Sequence, residues 1–306
     1  MKKSHELTQL EICHRRGIKL DDKANHRLYT LTKGFEGESM VYQWFQTYSE
    51  GKLNIIHDYW FNHGKDMQVD LLVIMNNRWV VIEVKNYFGH FEYRSHDCYL
   101  NGKIMGDNHF KQLGHRTQRL QHIASKLNSE IKVESVMVFI NEHCEVDISS
   151  EITTKIVLRH QLRFFIQSLV NNQQNFFVNK VIKHLEKYRV GSPFQPLRLD
   201  GQKVAREIRR GISCAKCNKF NTYPTYQYIR CRNCGHNEFK NKAIIRVALE
   251  LRYLYYYQPT KITSQLLFEF CGESMSKRTI INSLANKFEY IKNGPKSYYE
   301  VPLLHL

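Results

Sequence analysis

No stretch of 18 apolar residues occurs in this chain, which argues against a membrane-spanning helix, because crossing the hydrocarbon core takes about 20 predominantly apolar residues. The N-terminal MKKSHELTQLEICHRRG has two lysines but no apolar core behind them, unlike a secretory signal. A cytoplasmic protein without membrane association is the expectation. Prolines number only six, and there is no internal repeat or long low-complexity tract; with 42% hydrophobic residues, wholesale disorder is excluded. Acidic residues are scarce too. Asp+Glu number 29 against 45 Lys+Arg, a formal charge of +16. An ordinary near-neutral metabolic enzyme is therefore not the default, and a polyanionic partner is: DNA, RNA or an anionic lipid surface.

At about 100–200 residues per domain, 306 residues make two or three domains. The cluster Gly191-Ser192-Pro193-Phe194-Gln195-Pro196 is the strongest break. Residues 201–306 hold 18 Lys+Arg and 7 Asp+Glu, a net +11, which leaves +5 for the first 200 residues. The polyanion footprint is thus mostly C-terminal. The expected division is an N-terminal arm at 1–33, an α/β domain at 34–190, a linker at 191–210, a cysteine-rich module at 211–240 and a basic domain at 241–306.

Eight cysteines are present, and four form two Cys-x-x-Cys pairs, Cys214/Cys217 and Cys231/Cys234, separated by 13 residues. Two such knuckles supply four thiolates that can close tetrahedrally on Zn²⁺, and Gly235 suits the turn after the second. With no open position implied, the zinc is structural. A redox dithiol needs one such pair in a thioredoxin-like setting, whereas Pro224 among Tyr223, Tyr226 and Tyr228 reads as a ribbon hairpin. His236 is too close to Cys234 to be preferred as a ligand. Cys13, Cys98, Cys144 and Cys271 are scattered and read as ordinary reduced residues. Lys216, Arg230 and Arg232 could meet phosphate or form a solvated basic face.

In the α/β segment, apolar residues at Met40, Val41, Trp44, Phe45 and Tyr48 predict a helix from Phe35 to Tyr48, with Glu36 and Glu38 in its first turn. Strands follow at 53–57, 69–75, 79–85, 91–93 and 99–104, then a helix over 110–127, strands at 135–140 and 155–158, and helices at 161–170 and 175–186. Asn76-Asn77 offers a two-residue turn, which pairs Met75 with Arg78, Asp70 with Glu83 and Gln68 with Lys85. Asp70, Glu83, Lys85 and Gln68 then share one strand face. A four-residue loop keeps that face; an odd-length loop breaks it. Two carboxylates side by side repel unless a cation lies between them. Mg²⁺ or Mn²⁺ held there leaves positions for a phosphate oxygen and a water, and Lys85 can point at either. The alternative is an ordinary exposed ion pair. Against it, Trp79–Lys85 is otherwise apolar on both faces, as in a buried central strand.

Gly37-Glu38 on a helix, Gln68-Val69-Asp70, then Val81-Ile82-Glu83-Val84-Lys85-Asn86 followed by Gly89 resemble the nuclease-related domain (NERD) family of the PD-(D/E)xK nuclease superfamily, over about residues 34–123. The resemblance implies a four-stranded mixed core sheet flanked by helices. It also implies that Asp70 and Glu83 are metal ligands, Lys85 the catalytic lysine and Glu38 a carboxylate brought in by the first helix, with Glu36 its rival. The family's Asn-Pro pair and following Gln correspond to Asn108 and Gln112 here, with His109 in place of the proline.

Beyond the cysteines, the pattern predicts a helix over 242–257 ended by Pro259, and a short helix from Ser264 capped by Gly272. A turn at 273–275, a second helix from N-cap Ser276 to Phe288 and a hairpin with Asn293–Lys296 at its tip complete it. This resembles a winged helix-turn-helix. Ile280, Ile281, Leu284 and Phe288 are expected inside. Lys277, Arg278, Asn282, Ser283 and Lys287, with Lys292 and Lys296 on the wing, are the candidate nucleic-acid contacts. A protein–protein winged helix is the alternative, and Tyr253–Tyr257 reads as helix core plus interface. Taken together, the sequence reads as a metal-dependent nuclease acting on nucleic acid, with double-stranded DNA first. The rivals are a non-catalytic DNA-binding regulator and an RNA- or partner-binding adaptor.

Overall fold

The computed structural model describes residues 1–171, 178–257, 261–271 and 275–304. The chain forms two compact units, one of Met1 with Thr30–Pro193, the other of Lys2–Tyr29 with Phe194–Leu306. Among the described residues, no helix is long and apolar enough to cross a membrane. In chain order the elements run α1 (His5–Arg15), α2 (Asp22–Ser49), β1 (Asn54–Asn62), β2 (Asp66–Ile74), β3 (Arg78–Lys85), β4 (Gly89–Arg94), β5 (Asp97–Leu100) and β6 (Lys103–Ile104). Then come α3 (His109–Ser125), β7 (Lys132–Phe139), β8 (Cys144–Ile148), β9 (Lys155–Leu158), α4 (Arg159–Asn171) and α5 (Val178–Glu186). The remainder is α6 (Gly201–Glu207), β10 (Thr222–Pro224), β11 (Tyr228–Cys231), β12 (Asn237–Phe239), α7 (Lys240–Leu254), α8 (Ser264–Phe270), α9 (Lys277–Ala285), β13 (Glu289–Ile291) and β14 (Tyr298–Glu300).

The first unit is a mixed sheet flanked by helices. Its main sheet has five strands, not four, in the order β1-β2-β3-β7-β9; β1, β2 and β3 pair antiparallel, while β3, β7 and β9 pair parallel. The β2–β3 pairs are Leu71↔Ile82 through Ile74↔Trp79, with the Met75 N–H on the Arg78 carbonyl, so the two-residue turn at Asn76-Asn77 sets the register as its length requires. A second sheet, β6-β5-β4-β8, contains the unanticipated strand β8, a short Cys-Glu-Val-Asp-Ile alternation whose apolar side chains are only half-buried.

Alternation distributes the core. Leu72, Ile74, Trp79 and Val81 pack with Leu113, Leu120 and Ile123 of α3. Leu71, Val73, Val80 and Ile82 pack with Val41 and Phe45 of α2 and Leu162 and Ile166 of α4. Helix α2 starts 13 residues earlier than the apolar period suggests, so Glu36 and Glu38 lie mid-helix and the dipole of the first turn does not act on them. The first three residues of the predicted helix 175–186 lie outside the described residues.

The second unit absorbs what read as an arm and a linker. Ile12, Cys13 and Ile18 are buried with Val204 and Ile208 of the α6 region and with Ile244, Val247 and Leu251 of α7. Helix α1 is locked by charge as well: the fully buried Glu250 of α7 accepts from Arg16 Nε at 2.6 Å and from Arg15 Nη2 at 2.8 Å. Each of these residues looks merely polar in the sequence, because the partner lies over 230 positions away. Strands β10, β11 and β12 form a three-stranded sheet. Helices α7, α8 and α9 lead to the hairpin β13–β14, which gains an isolated bridge, Ile262↔Tyr299. Ser276 caps α9 by accepting from the Thr279 N–H. Pro259, Gly272 and the turn residues Glu273 and Ser274 lie outside the described residues.

Candidate active site

The β2–β3 ladder stops at Leu71↔Ile82. Beyond that pair β2 continues against β1 and β3 against β7, so the two strands part company where Asp70 and Glu83 stand. One oxygen of Asp70 accepts the Val84 N–H at 2.8 Å, closing the point of divergence. Gln68 therefore does not face Lys85 as the continued register would have it. Its amide donates to Asp58 Oδ1 at 2.8 Å. The cause is a coiling of the β1–β2 ribbon at this level. Asp58, directly opposite Asp70 by register, takes a left-handed φ of 48°, and past it Tyr59, Phe61, Met67 and Val69 all join the core on the α3 side.

Asp70 and Glu83 are both buried. Glu83 is held on two sides: Oε1 by Lys85 Nζ at 3.0 Å and Oε2 by Arg116 Nη1 of α3 at 2.5 Å. Lys85 also lies 5.9 Å from the centroid of the Tyr87 ring. The Tyr87 hydroxyl is 2.7 Å from His109 Nε2, so the histidine in the family's proline position takes part in the wall of the site. Asn108 caps α3, accepting the Lys111 N–H and donating to the His96 carbonyl. The Gln112 amide donates to Asp107 at 3.0 Å rather than to Asp70 or Glu83.

Glu38 arrives through a close approach. A Cβ on Gly37 would lie 2.7 Å from Asn86 Cβ and 3.3 Å from Ile140 Cγ2, so only glycine lets α2 settle against the end of β3. The electrostatics agree with the convergence. Burial first, then Asp70, Asp58 and Glu83, push the Glu38 carboxyl well up. Burial, then Glu83, push Asp70 up to about 7. For Glu83, burial acts upward but Lys85 and Arg116 prevail and hold it down. Burial opposes the charge on Lys85, yet Glu83, Tyr87 and Asp70 raise it, so it stays an ammonium. Burial, then Lys85, bring His109 down to about 4, leaving it neutral. Burial and mutual repulsion disfavour the charged forms of Glu38 and Asp70, a strain that a hard divalent cation would relieve, although the oxygens of Glu38, Asp70 and Glu83 are not gathered within 4.8 Å of one another and both oxygens of Glu83 are held by Lys85 and Arg116.

Sequence reading missed Asp58, Tyr87, His109 as a contact, and Arg116. Asp58 lay just past the predicted end of its strand. Arg116 carries no motif of its own; the one local signal is that it stands four residues after Gln112 on the same helical face.

Among the described residues, Cys214, Cys217, Cys231 and Cys234 are the one set of three or more potential ligands whose atoms all lie within 4.8 Å of one another. Two S···S separations are 3.7 and 3.5 Å, close to the ~3.8 Å edge of a tetrahedron built on Zn–S bonds of about 2.3 Å. The knuckles are equivalent: the N–H of Asn218 returns to the Cys214 carbonyl and that of Gly235 to the Cys231 carbonyl, both with positive φ. The quartet is compatible with structural zinc. In α9, Lys277, Arg278 and Asn282 are exposed, as are Lys287, Lys292 and Lys296. Ser283 is not: it is buried and donates to the Thr279 carbonyl at 2.7 Å. Ile281 shows the reverse and is 43% exposed. The helix is rotated so that Ile280 and Leu284 with Ser283 face inward.

The family model of the nuclease-related domain matches residues 33–140. A search of the curated proteins finds no match. Among solved structures, the chain is similar to the small subunit of the heterodimeric restriction endonuclease R.BspD6I, at 15% identity over 50% of this chain and 77% of that chain, with a TM-score of 0.24. That likeness is too loose to carry an argument.

Proposed function

We propose, from the match of residues 33–140 to the nuclease-related domain, that the protein is a divalent-metal-dependent nuclease hydrolysing phosphodiester bonds of nucleic acid, with double-stranded DNA as the substrate. The observation that carries the reading is the burial of Asp70 and Glu83 where β2 and β3 diverge, with the Glu38 carboxyl under the influence of both and Lys85 pinned to Glu83 at 3.0 Å. Asp70, Glu83 and Glu38 would hold Mg²⁺ or Mn²⁺. Such an ion, when bound, offsets charge on phosphate oxygens and lowers the pKa of water.

The side chains supply the rest. Asp70 spends one oxygen on the Val84 N–H and keeps the second for a ligand. Glu83 orients the Lys85 ammonium, a fixed positive charge for the developing phosphorane and a donor that orients the attacking water. Arg116 adds a second positive charge at the same carboxylate. Gln68 steadies Asp58, and Gln112 steadies the Asp107 end of α3. Zn²⁺ on the four cysteines would fix the β10–β12 module as a ribbon. The α7–β14 region would act as a winged helix-turn-helix, with Lys277, Arg278, Asn282, Lys287, Lys292 and Lys296 meeting DNA.

Plasmid nicking in Mg²⁺, against the same buffer without it, tests the reading. Asp70→Ala and Lys85→Ala should each lower the cutting rate by at least about 100-fold; rates equal to wild type sink the catalytic assignment. One observation favours a second reading, a nucleic-acid-binding protein that does not cut: both oxygens of Glu83 are already engaged by cations. Gel-shift binding with no metal-dependent cutting would select it.

A further inference from the structure

Helix α3 contains no Asp or Glu in 17 residues. Its exposed Arg119 and His122, with the C-cap Lys126, follow the spacing i, i+3, i+7, which keeps them on one helical face. Lys180, Lys183 and Lys187, on α5 and the turn after it, repeat that spacing and are also exposed. Helix α5 is docked against the end of α3, where His184 Nε2 lies 2.9 Å from the Ile123 carbonyl. Between the two rows, the Tyr188 ring meets His184 at 5.5 Å, His63 at 6.2 Å and Lys126 Nζ at 5.8 Å, and His63 lies 6.0 Å from His122.

The surface is positive and unbalanced. Among the described residues, Arg119, Lys126, Lys180, Lys183 and Lys187 have no acidic partner, and the one acid of α5, Glu186, is taken by Arg189 at 2.7 Å. His63 registers the field. Burial lowers its pKa first, and Lys126, Arg119 and His122 lower it further. An open groove of about 360 Å³ runs along the α5 side, lined by Leu127, Asn179, Lys180, Lys183, His184 and Lys187. At the other end of the α3 row stands Arg116, on Glu83. The ten residue steps from Arg116 to Lys126 span about 15 Å, roughly four phosphates of one strand.

We propose that the outward faces of α3 and α5 form a second nucleic-acid-binding surface, inside the nuclease-like unit, that holds the phosphate backbone of the substrate leading to the carboxylate site. The occupant is a polyphosphate backbone because the cations are regularly spaced, solvent-exposed and unpaired, whereas a protein partner would require an apolar centre that this surface lacks. That the backbone leads to a cutting site rests on the nuclease reading; the binding itself does not.

The experiment is fluorescence anisotropy on the full chain with labelled duplex and single-stranded DNA, without added Mg²⁺, over a series of salt concentrations. Lys180→Gln/Lys183→Gln/Lys187→Gln should make the slope of log K against log salt shallower by about 2–3, at about 0.9 for each duplex phosphate no longer neutralised. Arg119→Gln/Lys126→Gln should lower it by about 2. A control, Lys23→Gln/Lys103→Gln/Lys155→Gln, removes the same charge elsewhere and should leave the slope within about 1. If the patch variants keep the wild-type slope on both DNA forms, or lose binding to anionic lipid vesicles and not to DNA, the proposal is overturned. A shallower slope in a protein that never cuts supports the surface and removes only the nuclease reading. In a protein that does cut, the patch variants should raise KM and leave kcat within about twofold.

Discussion

Gly37→Ala offers a sharp test of how the site is assembled, because its sign can be worked out beforehand. In an exposed helix interior, replacing glycine by alanine stabilises by about 0.5–1 kcal/mol. At Gly37 the new methyl would lie 2.7 Å from Asn86 Cβ, where ordinary contacts begin at 3.4 Å, so α2 must retreat by about 0.7 Å. Asn86 Cβ is fixed by its backbone and cannot swing away. Overpacking of this kind costs about 1–3 kcal/mol, leaving a net loss of up to about 2.5 kcal/mol. Gly34, three residues earlier on the same helix, would meet nothing nearer than Glu38 Oε1 at 3.9 Å. Gly34→Ala should therefore stabilise. Urea unfolding of both variants gives the stability signs, and plasmid nicking gives the second readout: a displacement of this size at Glu38 should slow cutting by about 100-fold. Equal signs in the two variants would refute the close-approach argument whatever the protein cuts.

The buried Glu250 sits on Arg16 and Arg15 and also accepts from Arg246 at 3.2 Å. Glu250→Ala should cost about 3–5 kcal/mol in urea unfolding, while Arg16→Met/Glu250→Leu should recover much of it; additive losses would contradict this. Burial acts to raise the Glu250 pKa, but Arg16, Arg15 and Arg246 hold it below its ordinary 4.5. A depressed folded value means stability present above about pH 4.5 and lost as pH falls through the folded pKa, so Glu250→Gln should flatten the acid limb of an unfolding-versus-pH curve. Wild-type protein should contain one zinc per chain by elemental analysis, Cys214→Ser substantially less, and the latter should lose the near-ultraviolet signal of Tyr223 and Tyr228. Arg278→Ala should weaken duplex binding by about 1 kcal/mol or more, and Ser283→Ala, at a buried position, should leave it within about 0.5 kcal/mol; the reverse order would mean that α9 presents its other face.

Much of the site was legible because its information is local. A two-residue turn fixes a register, so Asn76-Asn77 alone put Asp70 and Glu83 at the same level, and alternation put Glu83 and Lys85 on one face. Two Cys-x-x-Cys knuckles prescribe a tetrahedron from four positions within 21 residues. What was not legible depends on where the ladder gives out. Nothing in Gln68-Val69-Asp70 announces that β2 leaves β3 there, or that the ribbon coils and turns Gln68 toward Asp58. Arg116, Tyr87 and His109 reach the site only because α3 packs across the sheet.

The sequence by itself determined most of the strands, the hairpin register, the paired cysteine knuckles and the placing of Asp70 and Glu83 at one level, since each follows from period, turn length or spacing over a few residues. Tertiary structure alone decided which distant residues complete one another: Arg16 with Glu250, Gly37 with Asn86, Glu83 with Arg116, and the cations of α3 with those of α5. Burial makes the difference. A polar residue discloses its role only when desolvation compels it to find a partner, and chain separation hides that partner until the core closes.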